Sequence, residues 1–220
     1  MSLTASLSNY LEPWRNYLDW KELNKIALQL KPVKVVPEKT LILRSFEWIN
    51  PDDVKVVMLF QDPYTQPNVA TGIPCANNIR DESKWSPTLK ILKDSVSLLH
   101  NSEEIYNFDP TLKNWTDQGV LLLNCALTAE PYKPGIHLAL WRKFISQLLV
   151  NLSNRKTGII YVLFGEEAKT FKPYIKEKFN FILQEKHPAY YVRTGKEMPC
   201  DVWKEINNIL NNIYGQVISF

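Results

Sequence analysis

The chain has 220 residues, within the range where one compact α/β unit closes around one core, so a single domain over residues 1–220 is expected. With 45% hydrophobic residues, seven Trp, ten Tyr and nine Phe, it can bury a large core without metals or disulfides, which excludes global disorder and fibrous structure. The 26 Lys plus Arg and 23 Asp plus Glu nearly cancel to a formal +3, which excludes a protein that coats long nucleic-acid tracts and gives only weak support for a nucleic-acid partner.

In chain order, residues 14–30 read as one or two helices. Residues 54–60 (VKVVMLF) are a continuous apolar run and predict a buried strand. Leu89, Leu92, Val96 and Leu99 form an apolar stripe after Pro87, which predicts a helix. A second strand is expected over 120–123 (VLLL). A helix over 137–152 follows, its stripe made by Trp141, Phe144, Ile145, Leu148, Leu149 and Leu152. Residues 159–164 (IIYVLF) and 179–183 (FNFIL) predict two further strands. Asp201 is placed to cap a last helix whose buried face is Val202, Ile206, Ile209, Leu210 and Ile213. Strands alternating with helices, and apolar without a break, suit a sheet covered on both faces. The fold class expected is α/β: a three-layer α/β/α sandwich around a mostly parallel four-stranded sheet.

Cys75, Cys125 and Cys200 lie far apart with no C-x-x-C pair, so a disulfide framework or a thiolate metal site is not expected. His100 and His137 complete no metal constellation, and no Gly-rich phosphate loop is present, so neither metal nor cofactor is expected. The N-terminus lacks a basic and apolar leader pattern, and no apolar run approaches membrane-spanning length. A soluble intracellular protein without a membrane partner is expected, cytoplasmic or nuclear.

Open parallel sheets bind ligands outside the carboxyl ends of their strands. There the four predicted strands are followed by Gln61-Asp62-Pro63-Tyr64, by Asn124, by Gly165-Glu166 and, after a short polar step, by His187-Pro188. Singly each has a bland reading: Asp-Pro-Tyr is a common turn, Asn124 a buried amide closing a strand, His187 a structural histidine. Together, at one sheet edge, a carboxylate, a carboxamide and an imidazole can handle a proton, orient a water and read a planar heterocycle.

The residues then resemble a known family, the uracil-DNA glycosylases of the main single-domain type, from about Val36 to Leu210. The run Asp53 to Tyr64 (DVKVVMLFQDPY) is similar to the family's DVKVVILGQDPYH water-activating loop. Residues 115–124 (WTDQGVLLLN) are similar to W-x-x-Q-G-V-L-L-L-N, and His187-Pro188 to the start of H-P-S-P-L-S. Cys200 and Asn207 keep the spacing of the last helix. Ser86-Pro87-Thr88 resembles the family's P-P-S stretch.

The resemblance implies hydrolysis of the N-glycosidic bond of deoxyuridine in DNA, the first step of base-excision repair, after the nucleotide is flipped out of the stack. It implies that Asp62 activates the water and stabilises the sugar cation, and that His187, as a neutral imidazole, hydrogen-bonds the charge developing on uracil O2. Gln61, Tyr64, Cys75 and Asn124 would hold the base: Asn124 pairs with N3–H and O4, and Tyr64 excludes a 5-methyl group. Ser86, Pro87, Thr88, Gly165, Glu166, Pro188, Tyr191 and Arg193 would meet DNA, with Tyr191 as the wedge. A monomer is expected, with uracil-containing DNA as partner and an inhibitor or replication protein as a second, unidentified one.

Several positions depart from the family. Phe60 stands for Gly, Thr65 for His, Cys75 for the Phe on which uracil stacks, Glu166 for a phosphate-holding Ser, and Tyr191 for the Leu wedge. They motivate two alternatives: a DNA-binding replication or processivity factor with weak catalysis, and a glycosylase of altered base preference. Tyr106, Phe108 and Trp85 are the rings considered as substitutes for the missing stacking partner.

Overall fold

The structure is a computed structural model and describes residues 10–100 and 107–220. Its centre is a four-stranded sheet of β1 (Val56–Phe60), β2 (Val120–Asn124), β3 (Ile160–Phe164) and β4 (Phe181–Glu185), in the spatial order β2-β1-β3-β4. All three pairings are parallel. The sheet is thus wholly rather than mostly parallel.

The first three strands are buried at every position. Side chains alternate between faces, so each strand feeds two cores. Val57, Leu59, Leu121, Leu123, Tyr161 and Leu163 face one core, covered by α1 (Trp20–Leu30), α2 (Arg44–Glu47) and α5 (Leu138–Arg155). Val56, Met58, Phe60, Leu122, Val162 and Phe164 face the other, covered by α3 (Pro87–Ser97), α4 (Lys113–Asp117) and α8 (Asp201–Tyr214). These are the three expected layers. The remaining short helices, α6 (Glu166–Lys169) and α7 (Pro188–Thr194), follow β3 and β4.

Local chemistry explains where helices begin. Asp19 caps α1 by accepting from Glu22 N–H at 2.9 Å, with Glu22 in the capping-box position. Ser86 caps α3, and Pro87 fills its first position, where a missing N–H costs nothing. Asp201, expected to cap α8, is its first helical residue instead; Cys200 is the cap and makes no side-chain bond. The carboxylate there still faces the positive end of the helix dipole. The buried face of α8 also differs from expectation, because Trp203 joins Val202, Ile206 and Leu210 inside while Ile213 is exposed.

The fourth strand starts two residues later than expected. Residues 177–179 are taken up by a 3-10 turn, and β4 is an edge strand with Phe181 exposed rather than a strand buried on both faces.

Strand order places the site. β1 and β3 are neighbours, but the chain leaving β1 goes to β2 on one side, and the chain leaving β3 goes to β4 on the other. Their diverging connections open a crevice at the carboxyl edge, the usual ligand position in such sheets.

Candidate active site

Asp62 follows β1 and lies half-buried in the crevice. Its Oδ2 accepts from the Gly135 N–H at 2.5 Å and its Oδ1 from Gln61 Nε2 at 3.2 Å. A carboxylate that merely closed its own turn would bond to backbone one or two residues on. Here the backbone partner is 73 residues away, in the connection between β2 and α5. Burial raises the Asp62 pKa above the ordinary carboxylate value, and the two hydrogen bonds pull it partly back. The group is oriented, and its charge is only partly neutralised by its surroundings.

His187 follows β4 and caps α7, its Nδ1 accepting from Ala189 N–H at 3.1 Å. That bond assigns the tautomer: Nδ1 is bare and Nε2 carries the proton. Burial first, and the nearby Arg193 charge second, lower its pKa to about 4, so at neutral pH the ring is an uncharged donor. Phe60 supports it from the sheet, edge-on to the imidazole at 5.9 Å and stacked on Phe164 at 4.6 Å. Phe60 therefore props His187 instead of reshaping the Asp62 loop. Gly165 closes on the other side, where an added Cβ would meet His187 Cβ at 2.8 Å.

Asn124 ends β2. It is 5% exposed, and its Oδ1 has no hydrogen-bond partner among the described residues. Buried polar atoms without partners are uncommon and each calls for an explanation. The amide lines a small recess of about 10 Å³ with Pro63, Tyr64, Ala70, Cys75 and Leu127. A buried amide closing a strand end would be satisfied by backbone; this acceptor is held ready for a donor that enters the cavity.

Tyr64 and Cys75 both line that cavity. The Tyr64 hydroxyl donates to the Cys75 carbonyl at 2.9 Å and lies 2.5 Å from Ser86 Oγ. Burial raises the pKa of both the Tyr64 phenol and the Cys75 thiol, so neither ionises near neutrality. Tyr64 supplies the cavity's aromatic surface. Trp85 and Phe108 pack against each other at 5.7 Å in the core and do not line it. Tyr106 lies outside the described residues.

Beside this cavity runs a larger groove of about 720 Å³ that shares Tyr64 as a wall. It is lined by Ser86, Pro87 and Thr88 and also by Lys34 and Lys84, which sequence motifs did not single out. Gly165 and Glu166 lie at the start of α6, with Glu166 almost fully exposed and paired to Lys169 at 2.7 Å.

Two residues expected at the DNA surface face inward. Tyr191 is only 6% exposed, packs in the core and donates to Glu185 Oε1 at 2.8 Å, so its ring does not project as a wedge. The cause is helical: α7 packs on α3 and turns position 191 toward it, leaving Val192 and Arg193 exposed. Pro188 is likewise buried and serves as the first residue of α7.

A doubly wound parallel sheet that collects an oriented carboxylate, a neutral imidazole and a carboxamide with an unpaired oxygen at one carboxyl edge defines a hydrolase-type site that can read a heterocyclic base. The uracil DNA glycosylase superfamily model matches residues 46–211, three quarters of the chain, and the chain belongs to that superfamily. The uracil-DNA glycosylase of Mycoplasma genitalium is 32% identical over 97% of this chain and 91% of its own length. That of Campylobacter jejuni strain 81-176 is 28% identical over 92% and 90%. The fold is that of mimivirus uracil-DNA glycosylase, with a TM-score of 0.78 at 20% identity over 90% of this chain and 80% of that one. A second structure, from Nitratifractor salsuginis, gives 0.68 at 20% identity over 91% and 95%.

Among the described residues, no group of three or more His, Cys, Asp or Glu is arranged to hold a metal, and no helix is long and apolar enough to cross a membrane.

Proposed function

We propose that the chain is a monofunctional uracil-DNA glycosylase of base-excision repair, acting as a single domain over residues 1–220, as a monomer and inside the cell, where its DNA substrate lies. The observation that carries this reading is the buried, unpaired Asn124 Oδ1 in the cavity wall. Uracil N3–H supplies the missing donor, and uracil O4 accepts from the same amide's N–H. Cytosine offers the opposite pattern at both positions, leaving a buried polar group unpaired, which costs about 1–3 kcal/mol.

The duplex must first yield its base, because C1′ is shielded while the nucleotide is stacked, and unstacking costs a few kcal/mol. In the cavity, His187 Nε2–H donates to uracil O2 as the glycosidic bond breaks and its electron pair passes to the base. A neutral donor suits an anionic leaving group without needing a proton from solvent. Asp62, held by Gly135 and Gln61, faces the sugar cation and orients the water that adds to C1′. The water gives up a proton as its oxygen bonds C1′, and the uracil anion takes up one proton in turn, so the products are uracil and an abasic site. Pro87, Thr88, Gly165 and Arg193 are proposed to lie along the DNA, and Lys34 and Lys84 are added as phosphate partners from the groove. Exposed Glu166 weakens that grip through like-charge repulsion.

A mimivirus relative was solved in complex with UGI, which supports a protein inhibitor as a second class of partner. The direct test is incubation with a uracil-containing oligonucleotide followed by alkali. Strand cleavage is expected, and cleavage no greater than that of Asp62→Asn would refute the activity.

A further inference from the structure

We propose that Ser86 is a positioning residue that sets base discrimination at uracil C5, by locking Tyr64 through a hydrogen bond rather than by contacting DNA. This rests on the reading of Tyr64 as the group that meets a 5-substituent.

The argument is a count of protons. A tyrosine hydroxyl has one, and Tyr64 donates it to the Cys75 carbonyl at 2.9 Å. The close contact of 2.5 Å between Tyr64 and Ser86 oxygens then requires Ser86 to donate. Ser86 Oγ in turn accepts the Leu89 N–H at 3.1 Å, as the cap of α3. The result is a one-directional chain, from Leu89 N–H through the Ser86 and Tyr64 hydroxyls to the Cys75 carbonyl, each bond polarising the next. It ties the first turn of α3 to two residues that line the base cavity, Tyr64 through its hydroxyl and Cys75 through its backbone carbonyl.

Two consequences follow. Ser86 has spent its only proton internally, so it has none for a phosphate oxygen, and the neighbouring Thr88 is left as the hydroxyl donor of this stretch. Pro87 has no N–H to offer. Second, the Tyr64 ring is held at its outer end, so the space open to a C5 substituent is fixed by the helix position. Proline, which the similar family stretch carries where this chain has Ser86, provides no hydroxyl for such a lock.

The test uses single-turnover excision from oligonucleotides carrying uracil, 5-fluorouracil, 5-bromouracil or thymine, with the wild type, Ser86→Ala, Ser86→Gly, Ser86→Thr, Tyr64→Phe and Tyr64→Ala. Glycine is a tolerable helix cap, so Ser86→Gly separates loss of the lock from loss of α3. Ser86→Ala and Ser86→Gly are expected to lower the ratio of uracil to 5-bromouracil rates about tenfold, the scale of one methyl-sized change in a pocket. Ser86→Thr restores the ratio. In the Tyr64→Phe background, Ser86→Ala changes it no further.

If Ser86 instead holds a phosphate, both variants raise KM equally for every base and reduce the salt slope by about one counterion; that result overturns the inference. So does an unchanged ratio in the Ser86 variants while Tyr64→Ala relaxes it, a result that leaves the reading of Tyr64 standing. An unchanged ratio in Tyr64→Ala, or no uracil excision by the wild type, overturns that reading and the inference with it.

Discussion

Gly165→Ala tests whether the site depends on the placement of His187. Gly165 has φ +88° and ψ 171°, a region nearly confined to glycine, and the strain of placing alanine there is about 1–3 kcal/mol. The new methyl would also stand 2.8 Å from His187 Cβ, where ordinary contact begins near 3.4 Å. The two must therefore separate by about 0.6 Å, and the imidazole moves with its Cβ. A 1 Å misplacement of a reacting group costs about 10²-fold in rate, so excision should fall by roughly ten- to a hundredfold. The strain should also lower Tm by roughly 2–12 °C for a chain of this size. Gly195→Ala is the control, because Gly195 also has positive φ (+65°) but no atom within 4 Å of the added methyl. It should lose stability without losing rate. Single-turnover excision and thermal unfolding of both variants measure the two effects separately. If Gly165→Ala excises uracil at the wild-type rate, the close approach of Gly165 to His187 has no catalytic meaning and the argument fails.

Asn124→Leu replaces an unpaired buried amide with an apolar group of similar shape, so stability should rise by about 1 kcal/mol while uracil excision collapses; a fall in both would mean the amide is satisfied in the free protein. The folded-state pKa of His187 lies below its unfolded value of about 6.5, so its contribution to stability is complete above pH 6.5 and is lost as pH falls toward about 4. That loss is roughly 3 kcal/mol, and urea titrations across this window should show it absent in His187→Gln. Excision requires ionised Asp62, whose pKa is raised by burial, so the acid limb of the rate profile should lie above the ordinary carboxylate range. Gln61→Leu, which removes one bond to the charged form, should move that limb still higher, and a profile identical to wild type would exclude the Gln61 contact. DNA affinity should fall with salt at a slope of roughly two to four released counterions; a much steeper slope would contradict the small footprint inferred from a net charge of +3.

Much of the protein was legible in its sequence because the governing forces are local or periodic. Continuous apolar runs mark β1 to β3, since strands buried on both faces have no polar side to show. Three- and four-residue spacing marks α3 and α5. The polar residues directly after each strand sit at its carboxyl edge by necessity, which is why Asp62, Asn124 and His187 could be placed at that edge without coordinates. The exposure of β4 was not legible, because β2 is an edge strand too and is buried throughout, so what decides it is how far other elements cover the strand's faces and not FNFIL.

Other features were decided only by long-range packing. The N–H of Gly135 reaches Asp62 across 73 residues, and a backbone donor leaves no mark in the side-chain sequence. Phe60 breaks the similarity to the water-activating loop, yet its alternation along β1 sends the ring away from that loop to support His187. Tyr191 and Pro188, which motif position assigned to the DNA surface, face inward because the docking of α7 on α3 sets the rotation of that helix. Ser86 read as one more hydroxyl in a DNA-contact stretch, and only the direction of its hydrogen bonds shows its proton committed to Tyr64. Residue chemistry and strand order determine which groups gather at the sheet edge; where each one points follows from packing between segments far apart in the chain, which no local pattern encodes.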